Sequence, residues 1–320
     1  MQVAFEQVDV FTERPFAGNP LCVVPEGTGL STEQMQAIAA EMNLSETTFV
    51  LPPTDPQAAY WMRIFTPAKE IPFAGHPSVG TAYVMAAAGR FPLREPVTRI
   101  YQQVGIGTLP LDIEVAGGRP GRVIMTQGAP TFGAVLRDWD PIAEALGIDA
   151  SIVAKSPLPA QVVSTGLAHL LVPLPDLDTA GRLRPNFTLL DVLLQASGAL
   201  GCFTFCLQAT APDTLAHARM FAPGAGVPED PATGSAAGPL GAYLAVHGVL
   251  PKTQTAFVLE QGIEMGRPSR LWVEVLRDAA GMPTTLRVGG TTVPVIRGKI
   301  EVREGTQQGA SGLGSRGARV

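Results

Sequence analysis

The sequence predicts an α+β protein made of two copies of one plan, each a curved sheet wrapped around a central helix. Two observations carry this expectation. The first is ordered internal repetition. MRIFTPAKEIP (Met62–Pro72) lies on ARMFAPGAGVP (Ala218–Pro228), so that Arg63, Phe65, Pro67 and Pro72 recur as Arg219, Phe221, Pro223 and Pro228 at an offset of 156. ETTFVL (Glu46–Leu51) lies on CFTFCL (Cys202–Leu207) at the same offset, and GNPLCVVP (Gly18–Pro25) lies on GLAHLLVP (Gly166–Pro173) at 148. Several blocks in one order at nearly constant spacing outweigh chance similarity in an Ala-, Pro- and Gly-rich chain. The second observation is a pair of glycine-punctuated segments after the Pro-rich turns, GHPSVGTAYV (Gly75–Val84) and GSAAGPLGAYL (Gly234–Leu244). Both continue as stretches that are apolar on nearly all sides, and such a helix has to be enclosed.

The elements follow in chain order. Gln2–Phe11 and Leu21–Pro25 read as short strands. Ser31–Met42 opens with Ser31 and Gln34 three apart, a capping box, and then places Met35, Ile38, Ala39 and Met42 on one helical face. Thr47–Leu51 and Ala59–Phe65 are strands again. His76–Ala88 is the first enclosed helix, closed by Gly89. Strands follow at Arg99–Val115 and Arg122–Gln127. In the second copy FTLLDVLLQAS reads as a helix stopped by Gly198, and Ser235–Val246 as the second enclosed helix, stopped by Gly248. Phe257–Glu260, Arg270–Leu276, Thr284–Val288 and Thr292–Glu301 supply further strands, the last returning to the first half. We therefore expect a first half of residues 1–117 plus about 285–303 and a second half of 118–284. The Gly-, Ser- and Gln-rich tail, 304–320, is expected to be disordered.

Composition excludes several classes. The chain has 320 residues, is 46% apolar and carries a net charge of −5. That length supports a large core, and no basic patch invites nucleic acid. Cys22, Cys202 and Cys206 form neither a disulfide framework nor a zinc motif and read as reduced thiols. His169, His217 and His247 have no metal-ligand spacing and read as structural. The N-terminus lacks the features of a signal peptide, and no apolar stretch is long enough to span a bilayer. A cytoplasmic protein is the expectation.

The chemistry is expected at the two enclosed helix starts. Free N–H groups and the macrodipole favour an anion there, and equivalent ends of a duplicated protein should face one another across a cleft. His76 opens the first helix beside Gly75. Asp230 and Ser235 flank Gly234 at the second. Glu46 enters a strand, with Cys202 as its counterpart, so the carboxylate occurs in one copy only. Taken singly, each has a bland alternative. A Glu before a strand is usually a cap, a His at a helix start a hydrogen-bonding residue, and Asp230 a turn residue. Asn19 reads as turn chemistry in Gly-Asn-Pro. Together they suit proton transfer between carbons, which needs one group acting as both base and acid. A carboxyl does this if burial lifts its pKa from about 4.3 toward roughly 6–7.

At these residues the sequence resembles the PhzF family of phenazine-biosynthesis-like isomerases, which have the diaminopimelate-epimerase fold. The resemblance rests on DVFTERPFAGNPLCVV, NLSETTFV, RIFTPAKEIPFAGHPSVGTA, RMFAPGAGVPEDPATGSAAGPLGAYL and QGIEMGRPSRL (Gln261–Leu271). It implies two pseudo-symmetric halves, each a barrel-like, mostly antiparallel sheet around a helix. It implies Glu46 as the proton-shuttling glutamate, with His76 and Asp230 assisting. Gly75, Gly234 and Ser235 would bind a small, cyclic carboxylate, and Asn19 joins them as a candidate binding residue. No cofactor or metal is implied, and the partner would be a second copy in a homodimer. Epimerisation of a small amino or hydroxy acid is the alternative, although no cysteine stands at either helix start for a two-thiol mechanism. A non-catalytic binding protein that kept the cleft is a third possibility.

Overall fold

The computed structural model describes residues 1–302. The tail at 304–320, expected to be disordered, lies outside the described residues. Two ladders of strands follow one order. In the first half the neighbours run Thr292–Glu301, Gln2–Val10, Asn19–Val24, Glu46–Leu51, Tyr60–Phe65, Val97–Val104, Gly107–Ala116 and Arg119–Gln127. In the second they run Thr131–Leu136, Ala160–Ser164, Ala168–Pro173, Gly201–Cys206, Ala216–Ala222, Ala256–Gln261, Ser269–Arg277 and Pro283–Gly290. The third and fourth neighbours are parallel in both halves, as are the fifth and sixth; the other pairs are antiparallel. Arg119–Gln127 pairs with Pro283–Gly290 and joins the ladders. The last strand returns to pair with the first along its whole length. The expected division at 117/118 falls in the tight turn between Gly107–Ala116 and Arg119–Gln127, and that at 284/285 falls inside Pro283–Gly290.

Each ladder wraps one helix, Gly75–Ala87 in the first half and Gly234–Val246 in the second. Nearly every residue of both is buried, as their unbroken apolar sequence requires. Glycine permits the close approach: a Cβ at Gly80 would come within 2.7 Å of Leu21 and Val10, and one at Gly241 within 2.8 Å of Val273. A single core contains residues from both helices and from the strands around them. A second lies beneath Asp140–Leu146 and Phe187–Ser197, and a third beneath Thr32–Met42. The capping box at Ser31 and Gln34 forms as the spacing predicts.

The duplication extends to side chains. Arg63 forms a bidentate pair with Glu70 and lies 5.1 Å from the Phe65 ring centroid. Arg219 forms the same pair with Glu229 and lies 5.0 Å from Phe221. Two sequence expectations change. Arg99–Val115 is a hairpin, Val97–Val104 and Gly107–Ala116, because the Gly-Ile-Gly at 105–107 supplies a turn with Gly107 at φ +126°. The counterpart of Glu46 is Gly201, not Cys202. Leu21 pairs with Glu46 and His169 with Gly201, while Phe65 pairs with Thr47 and Phe221 with Cys202. The repeated Thr-Phe misleads by one residue, and a one-residue slip along a strand exchanges its faces.

Candidate active site

The two enclosed helices begin opposite one another. A Cβ at Gly75 would lie 3.7 Å from the Ser235 amide nitrogen and 3.9 Å from the Gly234 carbonyl carbon. Neither helix has a side-chain cap: Ala74 and Thr233 occupy the N-cap positions without a capping hydrogen bond. Two sets of first-turn N–H groups, with the positive ends of two dipoles, therefore meet in the interior.

Glu46 enters this place from the start of Glu46–Leu51. Helix Thr32–Met42 ends at Asn43, in the left-handed region at φ 50°, and the chain turns there into the strand. Glu46 Oε2 lies 3.2 Å from His76 Nε2, and the two side chains are 14% and 7% exposed. Neither atom has a hydrogen-bond partner, although both are buried. Burial foremost, and then the charge of Asp230, pushes the Glu46 carboxyl up to about 8. Burial pushes His76 down to about 3, so its ring is neutral.

Asp230 arrives from the second half at the end of Val227–Asp230. Its carboxylate accepts hydrogen bonds from Asn19 Nδ2 at 2.8 Å and from the Thr233 hydroxyl. Burial raises its pKa to about 6, and those two bonds hold it from rising further. Asn19 also donates to Ala232 O at 3.0 Å, while its Oδ1 is buried and unpartnered. Gly18 sets this asparagine in place. Its φ is +68°, and a Cβ there would collide with the Val10 carbonyl oxygen. Ser235 Oγ lies 3.2 Å from His169 Nε2.

The structure thus groups Glu46 with His76, and Asn19 with Asp230, around the facing starts at Gly75, Gly234 and Ser235. Sequence reasoning passed over three supports. Gln261 accepts from the Thr233 N–H at 3.0 Å and donates to Asp230 O at 2.7 Å, fixing the turn between Asp230 and the second helix. Gln127 donates to Gly234 O at 2.8 Å from the end of Arg119–Gln127, a strand of the first ladder. His169, read as structural, contacts Ser235. Gln261 and His169 lay inside quoted sequence blocks, whereas nothing local marked Gln127. The cysteines are free and buried, and none stands at a helix start.

Comparison with known proteins agrees with this geometry. Residues 8–298 match the family described as phenazine biosynthesis-like protein. The chain is 38% identical over 293 residues to a trans-2,3-dihydro-3-hydroxyanthranilate isomerase of Pseudomonas fluorescens, covering 92% of this chain and 97% of that one. It is 34% identical over 298 residues to an uncharacterised isomerase of Clostridium acetobutylicum, covering 92% and 96%. A crystal structure of a PhzF-family phenazine biosynthesis protein of Bacillus anthracis superposes with a TM-score of 0.85 at 29% identity, covering 94% of this chain and all of that one. A structure described as a probable proline racemase from Agrobacterium radiobacter, at 13% identity, a TM-score of 0.61 and 94% and 93% coverage, shares the fold alone. Among the described residues no helix is long and apolar enough to cross a membrane. A family match from residue 8 to 298, on a fold this close to the solved members, settles the classification: the chain belongs to the phenazine biosynthesis-like (PhzF) family and is an isomerase.

Proposed function

We propose that this isomerase moves a proton between carbon atoms of a small cyclic carboxylate, with Glu46 as the acid/base and no cofactor. One observation carries the reading. A carboxyl whose Oε2 is buried without a hydrogen-bond partner, with its pKa lifted to about 8, lies against a neutral imidazole, beside two uncapped helix starts. Such a carboxyl is a far stronger base, when ionised, than an exposed one, and its neutral form is stable enough to hold a proton between two transfers. The substrate carboxylate would sit on the N–H groups around Gly75, His76, Gly234 and Ser235, which would also stabilise enolate-like charge. Glu46 would take a proton from one carbon, the electron pair would delocalise toward the bound carboxylate, and Glu46 would return the proton to another carbon. Nothing is oxidised and no group leaves. His76, facing Glu46, would orient the carboxyl and accept or donate at Nε2. Asp230, oriented by Asn19, would hold a substrate hydroxyl or amino group.

The relative from Pseudomonas fluorescens bears the name trans-2,3-dihydro-3-hydroxyanthranilate isomerase, so that compound is the first substrate to try. Glu46→Gln should lower turnover by about 10²–10⁴ while leaving ligand binding nearly intact. Wild-type turnover in that variant rejects the role. Epimerisation is a second reading, favoured by the presence of a second raised carboxyl at Asp230. Product chirality after reaction in deuterated solvent separates the two. The resemblance to the family also points to a homodimer, which sedimentation at micromolar concentration tests, and three free cysteines fit a reducing compartment such as the cytoplasm.

A further inference from the structure

The second half carries a polar pair in the place where the first half carries Glu46 and His76. Gly75 and Gly234 open the two central helices, so His76 and Ser235 are counterparts. In the first half the acid on Glu46–Leu51 meets His76. In the second half that ladder position is Gly201, which has no side chain, and the polar group stands on the neighbouring strand instead. It is His169, the counterpart of Leu21 and the direct ladder partner of Gly201. His169 is fully buried, and its Nε2 lies 3.2 Å from Ser235 Oγ. Its other nitrogen, Nδ1, is buried with no hydrogen-bond partner.

That last fact chooses the tautomer. If the proton were on Nδ1, the ring would bury an N–H donor with nothing to receive it. With the proton on Nε2, the unpartnered atom is a lone pair, the smaller loss, and Nε2–H donates to Ser235 Oγ. The serine hydroxyl then has its own hydrogen free to donate elsewhere, and beside the Gly234 and Ser235 amides the site supplies the obvious receiver. From this we infer that His169 is a positioning residue which fixes the Ser235 hydroxyl as a hydrogen-bond donor to the anionic group of the substrate. The inference rests on the preceding reading that the substrate carboxylate sits at these helix starts. Burial also pushes the His169 ring down to about 4, so it stays neutral through the physiological range. The two halves are thereby specialised, the first for holding a mobile proton and the second for donating fixed hydrogen bonds.

The test uses the full chain. Nitrogen-15 NMR of the histidine rings at neutral pH, with His169 assigned by its loss in His169→Gln, should show a neutral ring protonated on Nε2. That resonance should move in Ser235→Ala. A proton on Nδ1, or a cationic ring, overturns the inference. The second readout is titration with 3-hydroxyanthranilate, the aromatic analogue of the relatives' substrate that cannot isomerise. His169→Leu should weaken binding about tenfold, and His169→Gln, whose amide nitrogen reaches the Nε2 position, should restore it to within about threefold. His169→Asn, which mimics Nδ1, should not restore it. Ser235→Ala should cost as much as His169→Leu, and the double variant no more, since the two act as one unit. Additive losses, or a Gln variant no better than Leu, count against His169 as the positioning group. A wild-type protein that fails to bind 3-hydroxyanthranilate overturns the substrate class proposed above, and the tautomer then decides the role of His169 alone.

Discussion

Glu46 is placed where its ionised form is unwelcome. Its pKa rises from 4.5 to about 8, so between those values the folded chain holds a proton that the unfolded chain releases. Stability from the neutral carboxyl is therefore full below about pH 4.5 and is lost as pH rises through about 8. Glu46→Gln removes that dependence. The variant should be more stable than the parent in mild alkali, by on the order of 2–4 kcal/mol at pH 9, in urea unfolding followed at both ends of the range. Equal stability at pH 9 contradicts the burial of the charge. The same ionisation governs rate. If Glu46 begins as a base, kcat/KM should climb roughly tenfold per pH unit below about 8 and then level. The sequence showed Glu46, His76 and Asp230 as residues of the right kind. It did not show their environment, because burial and the 3.2 Å approach of Glu46 to His76 arise only when the strand Glu46–Leu51 packs beside the start of the helix Gly75–Ala87.

At the scale of elements, the two helix starts depend on lacking side chains. A methyl at Gly75 meets only ordinary contacts, 3.6 Å to Met125 and 3.7 Å to the Ser235 amide nitrogen. Gly75→Ala should fold with a melting temperature within a few degrees of the parent, but it should bind carboxylates at least tenfold more weakly, because the methyl covers that amide. Gly18→Ala should behave in the opposite way. Its positive φ and the collision with Val10 O should lower stability by more than about 1 kcal/mol, as read by thermal unfolding. Both enclosed helices were legible, since a run that is apolar on every side leaves no solvent face. Registers were less so. The Thr-Phe repeat set Glu46 against Cys202, and only the pairing of Leu21 with Glu46 and His169 with Gly201 showed the true counterpart. The short helices Asp140–Leu146 and Leu177–Arg182 escaped notice because tertiary packing, rather than a long periodic pattern, holds them.

At the scale of the whole molecule, the first ladder is completed by a strand from beyond the second. Thr131–Leu136 follows the first ladder and pairs in the second, and Thr292–Glu301 follows the second ladder and pairs in the first. With a core that includes both central helices, the halves should melt in one transition. A chain ending at Thr291 leaves Gln2–Val10 without its outer neighbour and exposes Val3 and the third core. It should melt at least 10 °C lower, or aggregate through the bared edge. Two well-separated calorimetric transitions in the full chain contradict this interlock. The duplication itself was the clearest feature of the sequence, and the return of the last strand was expected from it. The seam between Arg119–Gln127 and Pro283–Gly290 was not visible, since both are strands of mixed polar and apolar residues whose local pattern names no partner.

In the proposed reaction one carboxyl, at residue 46, carries the proton. Turnover of trans-2,3-dihydro-3-hydroxyanthranilate in deuterated water, followed by mass spectrometry and NMR of the product, tests it most directly. The wild-type protein should place solvent deuterium on a ring carbon, and Glu46→Gln, still binding the ligand, should place none. Deuterium appearing at the wild-type rate with glutamine at 46 would contradict the account.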